Sequence, residues 1–158
     1  MIPAISRLLA LYLVFGVVSS AYPAENIPRF VQKLHLGANQ VAVISEGDFE
    51  ARSIGSYSIR IYSTDGALPG DDTTFFVSGI IRPRDGTVEK VSLIDLDTKG
   101  LPSLVVQIRS VGTGGYLSAD AFAVTKTAIS LRGSVSGLAS NADIAAALRT
   151  VIKQRNGK

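Results

Sequence analysis

The sequence lacks the residues from which several kinds of functional site are built. Its 158 residues include no cysteine, no tryptophan and one histidine, His35. Without cysteine no disulfide can form, so packing and backbone pairing must hold the fold together. One histidine also leaves too few nitrogen and sulfur ligands for a transition-metal site. A serine hydrolase is not expected, because no Gly-x-Ser-x-Gly motif occurs and His35 lies in an alternating run typical of a strand.

Neither sign of charge dominates the chain. The 16 Lys and Arg stand against 13 Asp and Glu, for a net charge of +3, and no basic block stands out. Nucleic-acid binding is therefore not expected. Many acidic residues fall in predicted turns, where we expect them to be solvated rather than paired as in a glycosidase. They are Glu46, Asp48, Glu50, Asp71, Asp72 and Asp85.

One segment, Asp95-Leu-Asp97-Thr-Lys99-Gly100, resembles the start of a calcium-binding loop. Lys99 occupies a position that should supply an oxygen ligand, and Val106 stands where the bidentate acid of the twelfth position belongs. A solvated hairpin turn is the better interpretation. We expect neither a metal nor a cofactor.

A single long apolar run lies at the N-terminus of the sequence. Residues 8–18 are uninterruptedly apolar, follow Arg7, and precede the small residues Ser19-Ser20-Ala21. The run is too short to span a bilayer, and the small residues suit a signal peptidase. We predict a cleaved secretory signal over residues 1–21, a single domain over residues 22–158, a periplasmic location and no membrane insertion.

After the signal, apolar residues recur at every second position. Tyr57, Ile59 and Ile61, for example, alternate with more polar neighbours. This period is typical of strands with one buried face. Turn signals separate the runs at 63–66, 68–72, 84–86 and 98–100. The pattern predicts an all-β fold, an antiparallel sandwich or flattened barrel of about eight strands.

The C-terminal segment has a helical pattern instead. Ile144, Leu148, Val151 and Ile152 form a stripe with helical spacing, and Ser140-Asn-Ala-Asp143 before it offers an N-cap with an acid in the first turn. We predict a short helix that covers an open end or edge of the sheet.

The stretch RSVGTGGYLSADAF, residues 109–122, combines backbone freedom with an aromatic side chain. Gly112, Gly114 and Gly115 directly precede Tyr116. The stretch lacks the third glycine of the dinucleotide fingerprint and has no Gly-Lys-Ser/Thr, so it is not a phosphate site. Two interpretations stay open, a tight hairpin that needs positive φ and a loop that protrudes into a partner.

Two blocks, SEGDFEARSIGSYSIRIYS (Ser45–Ser63) and QIRSVGTGGYLSADAF (Gln107–Phe122), resemble the periplasmic inhibitors of invertebrate-type (I-type) lysozyme, the PliI family. The resemblance extends from about Phe30 to Leu131. It implies a small, exported, all-β protein that forms a homodimer and blocks an I-type lysozyme, without enzymatic activity. The block over 53–57 is expected to support the fold.

The family's inhibitory loop carries Ser-Gly-x-Tyr, which Thr113, Gly114, Gly115 and Tyr116 match in this sequence. Threonine keeps the hydroxyl of the family's serine and adds a methyl group. The resemblance implies that this loop enters the active-site cleft and hydrogen-bonds the two catalytic carboxylates. Possible flanking contacts are Ser110 and Gly112.

Two alternatives come from other functional classes. One is a periplasmic carbohydrate- or peptidoglycan-binding domain that uses Tyr57, Tyr62 or Tyr116 as sugar platforms. The other is a hydrolase of unrecognised type.

Overall fold

The computed structural model describes residues 28–97 and 101–157, and within them the chain forms eight strands followed by one helix. The predicted signal, residues 1–21, lies outside the described residues. The elements are β1 (Val31–His35), β2 (Gln40–Glu46), β3 (Ile54–Ser63), β4 (Phe75–Asp85), β5 (Thr87–Ile94), β6 (Ser103–Arg109), β7 (Leu117–Val124), β8 (Ile129–Leu138) and α1 (Ile144–Asn156). The predicted all-β class with a C-terminal helix is confirmed.

The strands form two open antiparallel sheets, each of which follows the chain order. Strands β1 to β4 make the first sheet and β5 to β8 the second, so the fold is a sandwich and not a closed barrel. Alternate side chains of both sheets meet between them, as the period-two pattern requires. The buried core includes Ala42, Ile44, Tyr57, Ile59, Ile61, Val88, Val91, Leu104, Val106, Ile108 and Phe122.

Gly86 is the one residue between the two sheets. Strand β4 ends at Asp85 and β5 begins at Thr87, so the predicted turn at 84–86 is a corner between sheets rather than a hairpin. Gly86 has φ +122°, and a Cβ there would lie 2.1 Å from the carbonyl oxygen of Arg109. Both facts require glycine, because other residues rarely adopt this φ and none fits the space.

Helix α1 packs on the outer face of the second sheet, mainly against β8 and β7. The side chain of Asp143 accepts a hydrogen bond of 3.0 Å from the Ala146 amide, so the acid of the 140–143 segment is itself the N-cap and does not lie in the first turn. Ile144, Leu148 and Ile152 are buried. The predicted stripe is therefore correct, but it covers a sheet face beside the edge strand β8 rather than an open end.

Several connections lie together at one end of the sandwich, which we call the loop end. The pairs Glu46↔Tyr57 and Ile54↔Asp85 place the β2–β3 loop (47–53) beside the Gly86 corner. The pairs Thr87↔Arg109 and Leu117↔Leu138 place the β6–β7 loop and the β8–α1 turn there too. Within 28–97 and 101–157, no helix is long and apolar enough to cross a bilayer.

Candidate functional site

The β6–β7 loop, residues 110–116, is a hairpin closed at its base and exposed at its tip. The Ser110 amide donates to the Tyr116 carbonyl at 2.9 Å, and the Gly115 amide donates to the Gly112 carbonyl at 3.0 Å. Residues 111–114 are exposed. The loop is thus both a tight hairpin and a protruding segment, so the two interpretations of its glycines are compatible.

Two of the three loop glycines have a steric reason to be glycine. Gly115 has φ +52°, in the left-handed region that favours glycine. A Cβ on Gly114 would lie 2.5 Å from Cε2 of Tyr116, because the tyrosine ring rests against this glycine. A Cβ on Gly112 would meet nothing within 4 Å. Gly114 therefore lets the aromatic ring fold back onto a narrow loop.

The hydroxyl groups of the loop tip are available to a partner. Thr113 is exposed, and Tyr116 is 55% exposed although its ring contacts Gly114. Within the described part of the chain, neither hydroxyl forms a hydrogen bond. The predicted flanking residues differ, since Gly112 is exposed whereas the Ser110 Oγ is buried without a hydrogen-bond partner among the described residues.

Arg109 links the loop to the second sheet through hydrogen bonds to both. Its Nη1 donates to the Gly115 carbonyl at 2.9 Å, and its Nε donates to Oε1 of Glu89 at 2.8 Å. The second carboxylate oxygen of Glu89 accepts from Gln107 at 2.8 Å. The hydrogen bond from Arg109, with that from Gln107, holds the pKa of Glu89 below its ordinary value.

A β-bulge aims the carboxylate of Glu89 at this arginine. The register of β5 against β6 shifts between Val88 and Lys90, so that Glu89 has no direct partner. Bulges re-aim side chains in this way. Sequence reasoning missed Glu89 and Arg109. The available signal was the pair Glu89-Lys90, two adjacent polar residues that interrupt the alternation of β5.

A buried arginine holds the neighbouring loop, residues 47–53. Arg84 is 2% exposed, and its guanidinium donates to the carbonyl oxygens of Ala51 at 3.0 Å and Arg52 at 2.8 Å. The amide and hydroxyl of Ser56 donate to the carboxylate of Glu50 at 2.5 and 2.7 Å. These two bonds, with the nearby Arg84 charge, lower the pKa of Glu50.

Three of the acids expected to be solvated in turns have protein partners instead: Asp72 pairs with Lys33, and Glu46 and Glu50 are held at the loop end. Glu46 is 4% exposed and accepts from the Val88 amide at 2.7 Å, which links the two sheets. Glu50 accepts from Ser56, as described above. A Cβ on Gly55 would lie 2.3 Å from a carboxylate oxygen of Glu50. The 53–57 block thus contributes to folding contacts, in agreement with its expected supporting role.

The structure removes Tyr57 from the candidate sugar platforms. Its side chain is fully buried, and its hydroxyl donates to Asp120 of the opposite sheet at 2.6 Å. Burial, with the neighbouring carboxylate, raises its pKa. Tyr62 is half-buried and packs edge-on against Phe76, with ring centroids 5.9 Å apart, at the end of β3 remote from Tyr116. The three tyrosines therefore do not form one surface.

The exposed hairpin at the loop end is suited to contact a partner. Among the described residues, no three His, Cys, Asp or Glu side chains form a group able to hold a metal. A cavity of about 450 Å³ lies between the two loops, and its lining includes Arg52, Ser110 and Val111. The loop end thus carries an exposed hairpin with two hydroxyl groups that form no hydrogen bond among the described residues. Arg109 holds the base of this hairpin.

Comparison with known proteins identifies a family. A family model described as "Periplasmic lysozyme inhibitor of I-type lysozyme" matches residues 28–152. The chain is 40% identical to the PliI-Ah inhibitor of I-type lysozyme from Aeromonas hydrophila, with a TM-score of 0.70, covering 75% of this chain and 98% of that one. For the Aeromonas hydrophila PliI in complex with Meretrix lusoria lysozyme the identity is 40%, the TM-score 0.69 and the coverage 76% and 95%. No curated protein matches.

Proposed function

The chain belongs to the PliI family of periplasmic inhibitors of I-type lysozyme, and we propose that it inhibits by inserting the 110–116 loop into the active-site cleft of the enzyme. It is thus a periplasmic protein inhibitor rather than an enzyme. An Aeromonas hydrophila relative has been solved in complex with the lysozyme of Meretrix lusoria, so a lysozyme is the partner class.

The observation that carries the insertion proposal is the contact between Gly114 and Tyr116. Because the ring rests where a Cβ would stand, the loop stays narrow and still presents an aromatic face and a hydroxyl. Lysozymes cleave glycan with two carboxylates in a cleft. The tyrosine ring is suited to a sugar subsite, and the hydroxyls of Thr113 and Tyr116 are suited to donate to the carboxylates.

Removal of the two hydroxyl side chains tests this proposal. In Thr113→Ala/Tyr116→Ala each lost charge-assisted hydrogen bond is worth about 1.5–3 kcal/mol, so inhibition should weaken by about two orders of magnitude or more. The melting temperature should change little, since both side chains are exposed. Thr127→Ala, an exposed turn threonine at the opposite end of the sandwich, is the matched control.

The assay uses an I-type lysozyme, with a vertebrate-type lysozyme to measure specificity. Full inhibition by the double variant would exclude insertion of this loop. Lost inhibition with a large fall in melting temperature would instead assign the two residues to folding. The carbohydrate-binding alternative gains no support from the structure, because Tyr57 is buried and Tyr62 lies remote from Tyr116.

We also propose a homodimer. The outer face of the second sheet is covered by α1, whereas the outer face of the first sheet exposes Val31, Phe76 and Ile81. The apolar stripe of α1 is used within the chain, so the first sheet is the better surface for a second copy. A monomer mass by light scattering at micromolar concentration would contradict this.

The family is periplasmic, so its members are exported from the cytoplasm. We propose that the signal is cleaved after Ala21 and that residues 22–158 form one domain, with Tyr22 as the first residue. N-terminal sequencing of periplasmic protein checks the cleavage point, and an intact Met1 would disprove it.

A further inference from the structure

The 47–53 loop exposes an aromatic residue that the fold does not use. The side chain of Phe49 is fully exposed, at 106% of its reference area. Its backbone has φ +62°, and it is the one residue other than glycine with positive φ among those described. The left-handed region is unfavourable for a bulky residue, and such conformations persist where surrounding structure imposes them, often at functional sites.

The residues on both sides of Phe49 are held in place. The Gly47 amide donates to the Ser56 carbonyl at 3.0 Å, the Glu50 carboxylate is bonded to Ser56, and a guanidinium nitrogen of Arg29 donates to the Glu50 carbonyl. The buried Arg84 holds the next two carbonyl groups. The ring is therefore presented on a fixed backbone, which lowers the entropy cost of using it in binding.

Phe49 belongs to the same end of the molecule as Tyr116. Both loops stand at the loop end, and the cavity of about 450 Å³ is lined by Arg52 from one and by Ser110 and Val111 from the other. A lysozyme that receives the 110–116 loop must place the rim of its cleft over this end. The 47–53 loop is the neighbouring structure that such a rim meets.

We propose that Phe49 is a second contact residue of the inhibitory surface and packs its ring on apolar surface at the rim of the I-type lysozyme cleft. The inference rests on the proposed insertion of the 110–116 loop. The acidic neighbours Asp48 and Glu50 favour a protein partner over an anionic membrane, which would repel them. Exposed aromatic residues on rigid backbone are the usual anchors of protein interfaces.

Three variants of Phe49 separate binding from folding. Phe49→Asn removes the ring and tolerates the left-handed backbone, so the melting temperature should stay equal or rise while inhibition weakens about 10- to 100-fold, the range of an interface anchor. Phe49→Gly should behave in the same way. Phe49→Tyr keeps the ring and should retain inhibition within about threefold of wild type.

The matched control is Phe75→Ala, which removes a 47% exposed aromatic at the opposite end of the sandwich and should leave inhibition unchanged. Inhibition by Phe49→Asn within twofold of wild type would overturn the proposal, as would a fall in its melting temperature or a change in its mass by light scattering. Thr113→Ala/Tyr116→Ala is measured in the same series. If that variant inhibits fully, loop insertion fails, whereas normal inhibition by Phe49→Asn alone refutes only the second contact.

Discussion

At the residue scale, Gly114 and Tyr116 together determine the shape of the 110–116 loop. The tyrosine ring occupies the side of Gly114 where a Cβ would stand, 2.5 Å from the nearest ring atom. A side chain at position 114 would displace the ring and widen the tip. This contact accounts for the glycine two positions before the tyrosine, which loop flexibility alone would not explain.

Arg109 should control inhibition through the loop it holds. Arg109→Met removes the hydrogen bonds to the Gly115 carbonyl and to Glu89, and so frees the base of the loop. We expect inhibition to weaken roughly tenfold, which corresponds to a loss of about 1.4 kcal/mol in binding free energy. The reason is that a loop without this support must be ordered when it binds. Thermal stability should change little, because the ion pair is one-third exposed.

Lys33→Met provides the control for this prediction. It breaks another exposed ion pair, with a distance of 2.8 Å to Asp72, on the first sheet. Inhibition kinetics on both variants should show a loss for Arg109 alone. Equal inhibition by the two variants would show that the loop keeps its shape without the arginine.

At the scale of elements, the strands and the helix were predictable because their signals are local. Alternating burial of Tyr57, Ile59 and Ile61 defines β3, and helical spacing of Ile144, Leu148 and Ile152 defines α1. Neither pattern indicates which other strand or helix the element packs against. The position of α1 on a sheet face, and the corner at 84–86, depend on contacts between residues far apart in the chain.

The corner between the sheets should tolerate no side chain. Gly86→Ala places a Cβ 2.1 Å from the Arg109 carbonyl oxygen in a backbone with φ +122°, so either the corner or the start of the 110–116 loop must move. We expect the free energy of unfolding to fall by more than about 1 kcal/mol, measured by denaturant titration. Gly66→Ala is the control with a strained φ of +77° but open space, and it should cost less. Equal losses would mean that φ strain alone acts at position 86.

At the scale of the whole molecule, the candidate site combines what the family motif identified with what only the fold brings together. Thr113 and Tyr116 are identified by the motif. Arg84 carries no local signal, because its role depends on the backbone of the 47–53 loop. The Glu89-Lys90 pair marks an irregularity in β5 but does not indicate which side chain Glu89 meets across β6. Their roles come from strand order and register, which place both loops at one end.

Acid should lower the stability of the fold slightly through Glu50 and Glu89, whose side chains are both about one-third exposed. Hydrogen bonds from Ser56 to Glu50 and from Arg109 to Glu89 lower both pKa values below the ordinary value of 4.5. The unfolded chain then binds protons more readily than the folded one, so this stabilisation is fully present above about pH 4.5 and is lost as pH falls through the folded-state pKa values. Denaturant titrations between pH 7 and pH 3 should show the decline, and Glu50→Gln/Glu89→Gln should lessen it. A decline as steep in this variant as in wild type would show that other groups control acid unfolding.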